Sequence, residues 1–545
     1  MSNYLHNFFQ LIKKNKLFLI YLFLAVAARF VNLHNNLFFT WDQGRDAWKF
    51  AEIVSGNLTL IGPTSGIQGF FLGPLWFYLG TPGYVLGQGN PYVISYWLIA
   101  LSCLALPIFW YLSFLLFPNK NQKKYALLTT FLLAFAPGSI QGSTFVWNPM
   151  ISLPLVSLAV VMTIKARQSR WFLGLAFFFW ALVLQSEFAY AIFFVVSLFL
   201  LIPWIRRKFD WKDFLVSFLA IVITGVPQLL FELKNNWLLT KSLLTSMGSQ
   251  QGKVPFVYIF SHRPKELLWV TYELLFRSIP EARVFMLLLI PLLLWAVVKI
   301  FKSQDYKWQV MALFGLIPYV FYMFWRGNYG NFFDYYVTPH FILLVPLIVY
   351  ALAKLMERKD KHQELRLILG GLVIGWLVMS SVNLLALRIN KRSNGASMKT
   401  MENAVGLLFT WQQRDGFSSQ SAFQIFTPNS QTEHYDFMMH YLAKKKGLAV
   451  PSTVKNDELM VWYVLIEPDR EVPEKRFAPW YQKVAQKGMR VRSIKVGDLI
   501  VETWMKPYQA QEKGFLEVTS VVDFVKSYAY PGEATLERAE KQLVN

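Results

Sequence analysis

A chain of 545 residues that is 54% hydrophobic, 17% aromatic and only 16% charged is too long for one ordinary domain and too apolar for a soluble one. Its net charge of +21 does not point to nucleic acid, because Lys and Arg sit in short clusters between apolar runs rather than on one polar domain. The single cysteine, Cys103, excludes an internal disulfide framework, and the scattered histidines form no H-x-x-x-H pair for zinc.

A helix crossing a hydrocarbon core of about 30 Å needs about 20 apolar residues. Runs of this kind predict spans at 16–33, 91–117, 125–142, 147–164, 171–186, 188–205, 214–231, 284–301, 308–325, 336–356 and 367–387. The fold class expected is therefore mainly α, a polytopic membrane protein with about eleven transmembrane helices. With a cytoplasmic amino terminus, the loops at 13–16, 120–124, 165–170, 206–212, 299–307 and 354–366 carry twenty-one Lys and Arg against nine in the opposite set. The positive-inside rule then places the chain as a multi-pass protein of the plasma (inner) membrane, amino terminus inside. The first run, preceded by Lys13, Lys14 and Lys16 and ending near Ala25-Val26-Ala27, also reads as a cleaved signal peptide; the segment after it is outside in either case.

This map leaves a first outer loop at 34–90 and a long outer loop at 232–282. From about residue 390 the composition turns polar, which divides the chain into a membrane domain, 1–390, and an extracytoplasmic α/β domain, 391–545. Strands are expected at 422–426, 460–466 and 498–503, with helices near 432–446 and 475–487.

The first outer loop holds the chemistry. Thr40 and Gln43 form a capping-box pattern and Gly56 is a natural stop, so a helix is expected over about 41–55. Too short and polar to span, and carrying Trp41, Trp48 and Phe50, it suits the membrane interface. Asp42, Arg45, Asp46 and Lys49 fall at i, i+3, i+4 and i+7, on one helical face. A solvated charged face, with Asp42 favouring the positive helix start, accounts for the same spacing. If a divalent cation such as Mg²⁺ or Mn²⁺ is held, Asp42 and Asp46 are its ligands; the neighbouring Arg and Lys favour ion pairing and no metal. Glycines and prolines at Gly62-Pro63 and Gly73-Pro74 mark tight turns before the aromatic Trp76-Phe77-Tyr78.

The Asp42-Gln43-x-Arg45 start, Ala51-Glu52-Ile53, Gly56-Asn57-Leu58 and Gly73-Pro74-Leu75-Trp76-Phe77-Tyr78 resemble the first outer loop of GT-C glycosyltransferases. The closest pattern is that of bacterial relatives of protein O-mannosyltransferases and of lipid A aminoarabinose transferases. Gln43 stands where that family usually has Glu, and Leu72-Gly73 replaces its Lys-Pro. The resemblance implies transfer of a sugar from a polyprenyl-phosphate carrier to a hydroxyl on a protein, lipid or envelope glycan, with inversion, and it makes Asp42 the catalytic base. The cofactor expectation is none beyond that optional Mg²⁺ or Mn²⁺, and the partners the resemblance implies are the lipid-linked donor, the acceptor and membrane lipids.

Supporting positions lie at other outer boundaries. Glu187 closes the fifth span, where a carboxylate costs up to about 3 kcal/mol unless it faces water or a partner. Glu232, in a Pro-x-x-x-Phe-Glu segment, ends the seventh; His262 and Arg263 come next in the long loop. Arg326 suits bidentate phosphate binding, and Tyr335 and Tyr336 suit sugar stacking or an aromatic belt. A transporter or flippase would instead place its charges near the bilayer midplane, with internal repeats. A glycan ligase or polymerase using diphosphate-linked donors shares the topology and stays open.

Overall fold

A computed structural model of the chain describes residues 16–206, 208–249, 253–276, 283–327, 332–357, 363–391, 397–416, 421–448 and 459–515. Lys13, Lys14, Arg207, Arg358, Lys359 and Lys361, on which part of the charge count rests, lie outside the described residues, as does the middle of the Arg326–Tyr336 loop.

The fold is mainly helical. Among the described residues, seven helical segments are long and apolar enough to cross a membrane: Pro91–Leu116, Asn148–Lys165, Phe188–Ile205, Trp211–Lys234, Tyr306–Phe324, Asp334–Met356 and Arg366–Asn390. The other four expected spans are also helical but fall outside that set. Lys16–Phe30 has 15 residues and Arg170–Ser186 has 17. Lys123–Phe135 stops at Ala136, whose extended ψ of 142° starts a separate helix at Pro137, as expected before a proline. Arg283–Ser303 contains Pro291. The chain thus has the polytopic membrane architecture, with seven rather than eleven helices among the described residues meeting the length and hydropathy of a span.

By its contacts the chain forms two compact units. The first holds Met1–Val31, Gly56–Gly83 and Tyr96–Asn390; the second holds Asn32–Ser55, Tyr84–Ser95 and Lys391–Asn545. In the first unit Asp334–Met356 is the central element, 94% of its apolar window being buried, whereas Trp211–Lys234 has only 17% buried and presents most of its surface outward. Trp180, Phe194 and Phe314 stack with interplanar angles of 12° between the central helices. Arg29 is buried at the end of the first helix, where it donates to Ala25 O, Ala134 O and Ser139 Oγ. Arg388 donates to Thr144 Oγ1 and to Arg29 O. Two cations at depth are tolerable because carbonyls at helix ends, where the dipole is negative, receive them.

The second unit contains a four-stranded sheet: β1 (Ser421–Phe426), β2 (Val461–Ile466), β3 (Met489–Val496) and β4 (Leu499–Met505), in spatial order β1-β2-β4-β3. β1 and β2 are parallel; β4 is antiparallel to both β2 and β3. Pro473–Ala485 covers one face through Phe477, Tyr481 and Val484, on Phe426, Val464, Ile466 and Trp504. Met398–Asp415 also packs on the sheet, where Arg492 makes a two-pronged ion pair with Asp415 at 2.8 Å. Buried Glu502 accepts from Arg490, Tyr481, Ser493 and Trp504, a fully satisfied network of the kind that makes a buried charge tolerable.

The same unit takes in part of the first loop. Met398 N donates to Leu37 O at 2.9 Å, and Phe38 bridges to Ser397. Helix Trp41–Val54, expected over 41–55, packs extensively on helix Glu433–Lys446. The segment expected as part of the membrane domain is therefore held, by contact, with the polar carboxyl-terminal residues.

Candidate active site

Helix Trp41–Val54 begins as its sequence dictates: the Thr40 amide donates to Gln43 Oε1, fixing the first turn. Asp42 and Asp46, one turn apart, both receive Arg45. Its Nη1 lies 2.8 Å from Asp42 Oδ1, and Nη2 and Nε lie 2.7 and 2.9 Å from Asp46 Oδ1. The guanidinium also sits 5.3 Å from the Trp41 ring. Asp46 is buried, whereas 27% of the Asp42 side chain is exposed, so Asp42 is the carboxylate that a reactant can reach. Lys49 does not join this cluster; it pairs with Glu52. A divalent cation on Asp42 and Asp46 would have to displace Arg45 from both, and among the described residues no group of three or more metal-ligating side chains exists.

Partial burial raises the Asp42 carboxyl above the ordinary carboxylate range; Arg45 opposes this and Glu433 adds to it. Glu433 comes from the facing helix. At Gly44 any Cβ would lie 2.3 Å from His434 N and 2.6 Å from Glu433 C, so only glycine admits this approach. One turn on, Trp48 meets Phe437 and His440 edge-on, with ring centroids 5.3 and 4.8 Å apart. The two helices therefore run side by side in the same direction, with Asp42 and Glu433 in their first turns. His434 is buried behind them, its Nε2 4.0 Å from Glu467 Oε2, and burial pushes its ring down to about 4. No local pattern singles out Glu433 or His434; both are recognised only from their packing on Gly44.

The remaining candidates belong to the first unit. The Gly62–Gly73 segment folds back on itself, with Gly62 N donating to Leu72 O at 2.7 Å and Leu72 N to Pro63 O at 2.9 Å. A Cβ on Gly73 would meet the Gln185 side chain at 2.4 Å, and Phe70 packs edge-on to Phe188 at 4.9 Å. That brings the turn sequence onto the corner carrying Glu187, whose Oε1 caps helix Phe188–Ile205 by accepting from Ala189 N at 3.1 Å. Glu187 also lies within electrostatic reach of Tyr190, Tyr335 and Tyr336. Tyr335 and Tyr336 are edge to face at 4.6 Å, and Trp147 closes on Tyr335 at 4.7 Å. Beside them, Asn148 donates to Ser186 O at 2.6 Å. His340, also absent from the sequence-based candidates, is buried among Phe194, Tyr319 and Tyr322 with ring centroids 4.7 to 5.6 Å away.

Other positions have evident structural engagements. Glu232 accepts from Leu239 N, Thr240 N and Thr240 Oγ1 at 3.1, 2.7 and 2.6 Å, starting helix Leu238–Gly248. Arg263 is buried on Glu266, Trp325 O and the Phe332 ring. His262, on the same helix Phe256–Phe276, is exposed and stacks on Tyr258. Arg326 donates to Val254 O at 2.7 Å and lies 4.3 Å from the Phe256 ring.

No known protein family matches the chain, and no curated protein matches it in sequence. Solved structures do. ArnT from Cupriavidus metallidurans in the apo state is similar at TM-score 0.56 and 11% identity, over 89% of this chain and 97% of that one. The same protein bound to undecaprenyl phosphate is similar at TM-score 0.55, with the same identity and coverage. The Archaeoglobus fulgidus oligosaccharyltransferase tethered to an acceptor peptide is at TM-score 0.43 and 13% identity, over 94% of this chain and 75% of that one. The chain has the fold of ArnT, in keeping with the GT-C resemblance of its first outer loop.

Proposed function

We propose that this protein is a membrane glycosyltransferase that moves a hexosyl or pentosyl unit from a polyprenyl-phosphate carrier to a hydroxyl acceptor at the outer face of the plasma membrane, with inversion. The observation that carries the reading is Asp42. It is a partly exposed carboxylate on the first turn of a short amphipathic helix, held 2.8 Å from a guanidinium and made more basic by burial. The fold shared with ArnT, a protein that has been captured with undecaprenyl phosphate, supports a lipid-phosphate donor.

In this reading Asp42 accepts the proton of the acceptor hydroxyl as its oxygen bonds to the anomeric carbon, and the bond from that carbon to the carrier phosphate breaks on the opposite face. The phosphate departs as an anion and needs no proton, so a second carboxylic acid is not required as it is in glycoside hydrolysis. Cations stabilise the charge on the leaving oxygen. Arg45, anchored by Asp46, orients the Asp42 carboxylate on the acceptor side, opposite the departing phosphate.

The test uses purified full-length protein with a panel of polyprenyl-monophosphate sugars, one bearing each common hexose and pentose, and the matching diphosphate-linked glycans. Transfer from a monophosphate donor, reduced about 100-fold or more in Asp42→Asn and retained in EDTA, is the expected result. Exclusive use of the diphosphate donors, or full turnover in the Asn variant, overturns it.

A further inference from the structure

The helix pair Trp41–Val54 and Glu433–Lys446 lies within the second unit and carries one continuous stripe of accessible side chains. On Glu433–Lys446 the residues at 434, 435, 437–439, 442 and 443 are buried, and Glu433, Asp436, His440 and Lys444 are left on one outer face, at i, i+3, i+7 and i+11. On the neighbouring helix Asp42, Arg45 and Trp48 are partly exposed, and Trp48 joins the two sets through its edge-on contact with His440 at 4.8 Å. The stripe is chemically graded. Its first end holds the carboxylates Asp42, Glu433 and Asp436; its middle is aromatic; its far end, about 17 Å on by helical rise, is Lys444, Lys445 and Lys446. These lysines are exposed, and of them only Lys445 enters an ion pair among the described residues, with Glu402 at 4.0 Å. An acid at the start of a helix and a base at its end satisfy the helix dipole. That accounts for neither three consecutive lysines nor an aromatic step between the ends.

We propose that this stripe is an acceptor-binding surface and that the acceptor is an anionic glycan, a sugar chain bearing phosphate or carboxylate groups. The inference rests on the reading of Asp42 as the base and names the acceptor class for it. The negative face of the Trp48 indole attracts the slightly positive C–H face of a sugar ring. His440 Nδ1 donates to Asp436 O at 2.8 Å, which leaves Nε2 to accept from a sugar hydroxyl. Lys444 and Lys446 receive an anionic group further along the glycan, while Glu433 and Asp436 repel it from the Asp42 end. The charge gradient therefore fixes direction: a neutral hydroxyl end goes to Asp42 and the charged remainder to the lysines. An anionic membrane surface would also attract the lysines, but the carboxylates at the other end of the same stripe would repel it, whereas a glycan with one neutral end meets no such penalty.

The test measures binding without a sugar donor. Full-length protein in phosphatidylcholine nanodiscs is titrated with a phosphorylated mannan oligosaccharide, its dephosphorylated form and inorganic polyphosphate, as wild type and with Lys444 and Lys446 both changed to Gln or both to Arg. The expected result at low salt is tightest glycan binding by the phosphorylated form, weakened about fivefold or more by removing its phosphates or by the double Gln change, and restored by the double Arg change. Trp48→Ala should weaken binding of both glycans and leave that of polyphosphate unmoved. If Trp48→Ala fails to fold, Trp48→Leu, which keeps an apolar side chain and removes the aromatic face, is read in its place. Equal binding of the two glycans, or glycan binding indifferent to Trp48, overturns the proposal. So does wild-type glycan affinity in the double Gln protein, and if that change instead abolishes a stabilisation by phosphatidylglycerol, the lysines belong to the membrane surface. Because the readout is binding, a protein that holds this glycan and transfers no sugar defeats the transferase reading alone.

Discussion

His434 shows how burial sets chemistry at a single position. Its ring is buried, the Glu467 carboxylate approaches no closer than 4.0 Å, and its protonation is pushed down to about 4. Because the folded state holds this proton less tightly than the unfolded chain, stability from His434 is fully present above the ordinary histidine value near 6.5. It is lost as pH falls through the window from about 6.5 to 4, by up to about 3 kcal/mol. Asp42, Asp436 and Glu467 are raised by burial and act with the opposite sign, becoming less costly as they protonate. Any advantage in melting temperature of wild type over His434→Gln should therefore narrow as pH falls from 7 to 4, since the carboxylates contribute alike to both. Parallel profiles for the two proteins would show that His434 does not govern the pH dependence. Asp42 and Arg45 were legible at this scale because their spacing on one helix is local. Glu433, His434 and His340 were not, since nothing near them in the chain announces what they pack against.

Between elements, the close approach of Trp41–Val54 to Glu433–Lys446 depends on Gly44. In Gly44→Ala the new methyl would lie 2.3 Å from backbone, which no side-chain rotation relieves, so the helices must separate. Overpacking of this kind costs about 1–3 kcal/mol. The variant should melt earlier and lose turnover together, and a melting curve like that of wild type would refute the contact. Element prediction from sequence was strongest where periodicity was plain: β1, β2 and β4 and the helices at Glu433–Lys446 and Pro473–Ala485 fall where alternation and helical patterning placed them. β3 was missed because Arg490, Arg492 and Lys495 interrupt its apolar character, and its register shifts between Arg490 and Arg492. Spans such as 125–142 read as continuous from hydropathy alone, which does not register the backbone break at Ala136-Pro137.

For the whole molecule, the proposed orientation puts the first outer loop and the α/β residues on the same side of the membrane. The lone cysteine, Cys103, is buried, which makes a clean background for labelling. In Cys103→Ala, a cysteine at exposed Asn57 should react with an impermeant maleimide on intact cells, and one at exposed Lys208 should react only after lysis. The reverse pattern would remove the outer-face reaction altogether. Hydropathy made the membrane architecture legible, because bilayer thickness imposes a length on every span. Which distant segments share a compact unit was not legible, because that is decided by surface fit rather than by any periodic pattern.

The fit of Gly44 to His434 has a consequence in time. These two positions are separated by 390 residues of chain, so the helix that carries Asp42 emerges long before its packing partner exists. At about 5–20 residues per second, synthesis leaves that helix unpartnered for roughly 20 to 80 seconds. In a nascent or prematurely ended chain the Gly44 face of that helix therefore has nothing to pack on until residues near His434 have been made.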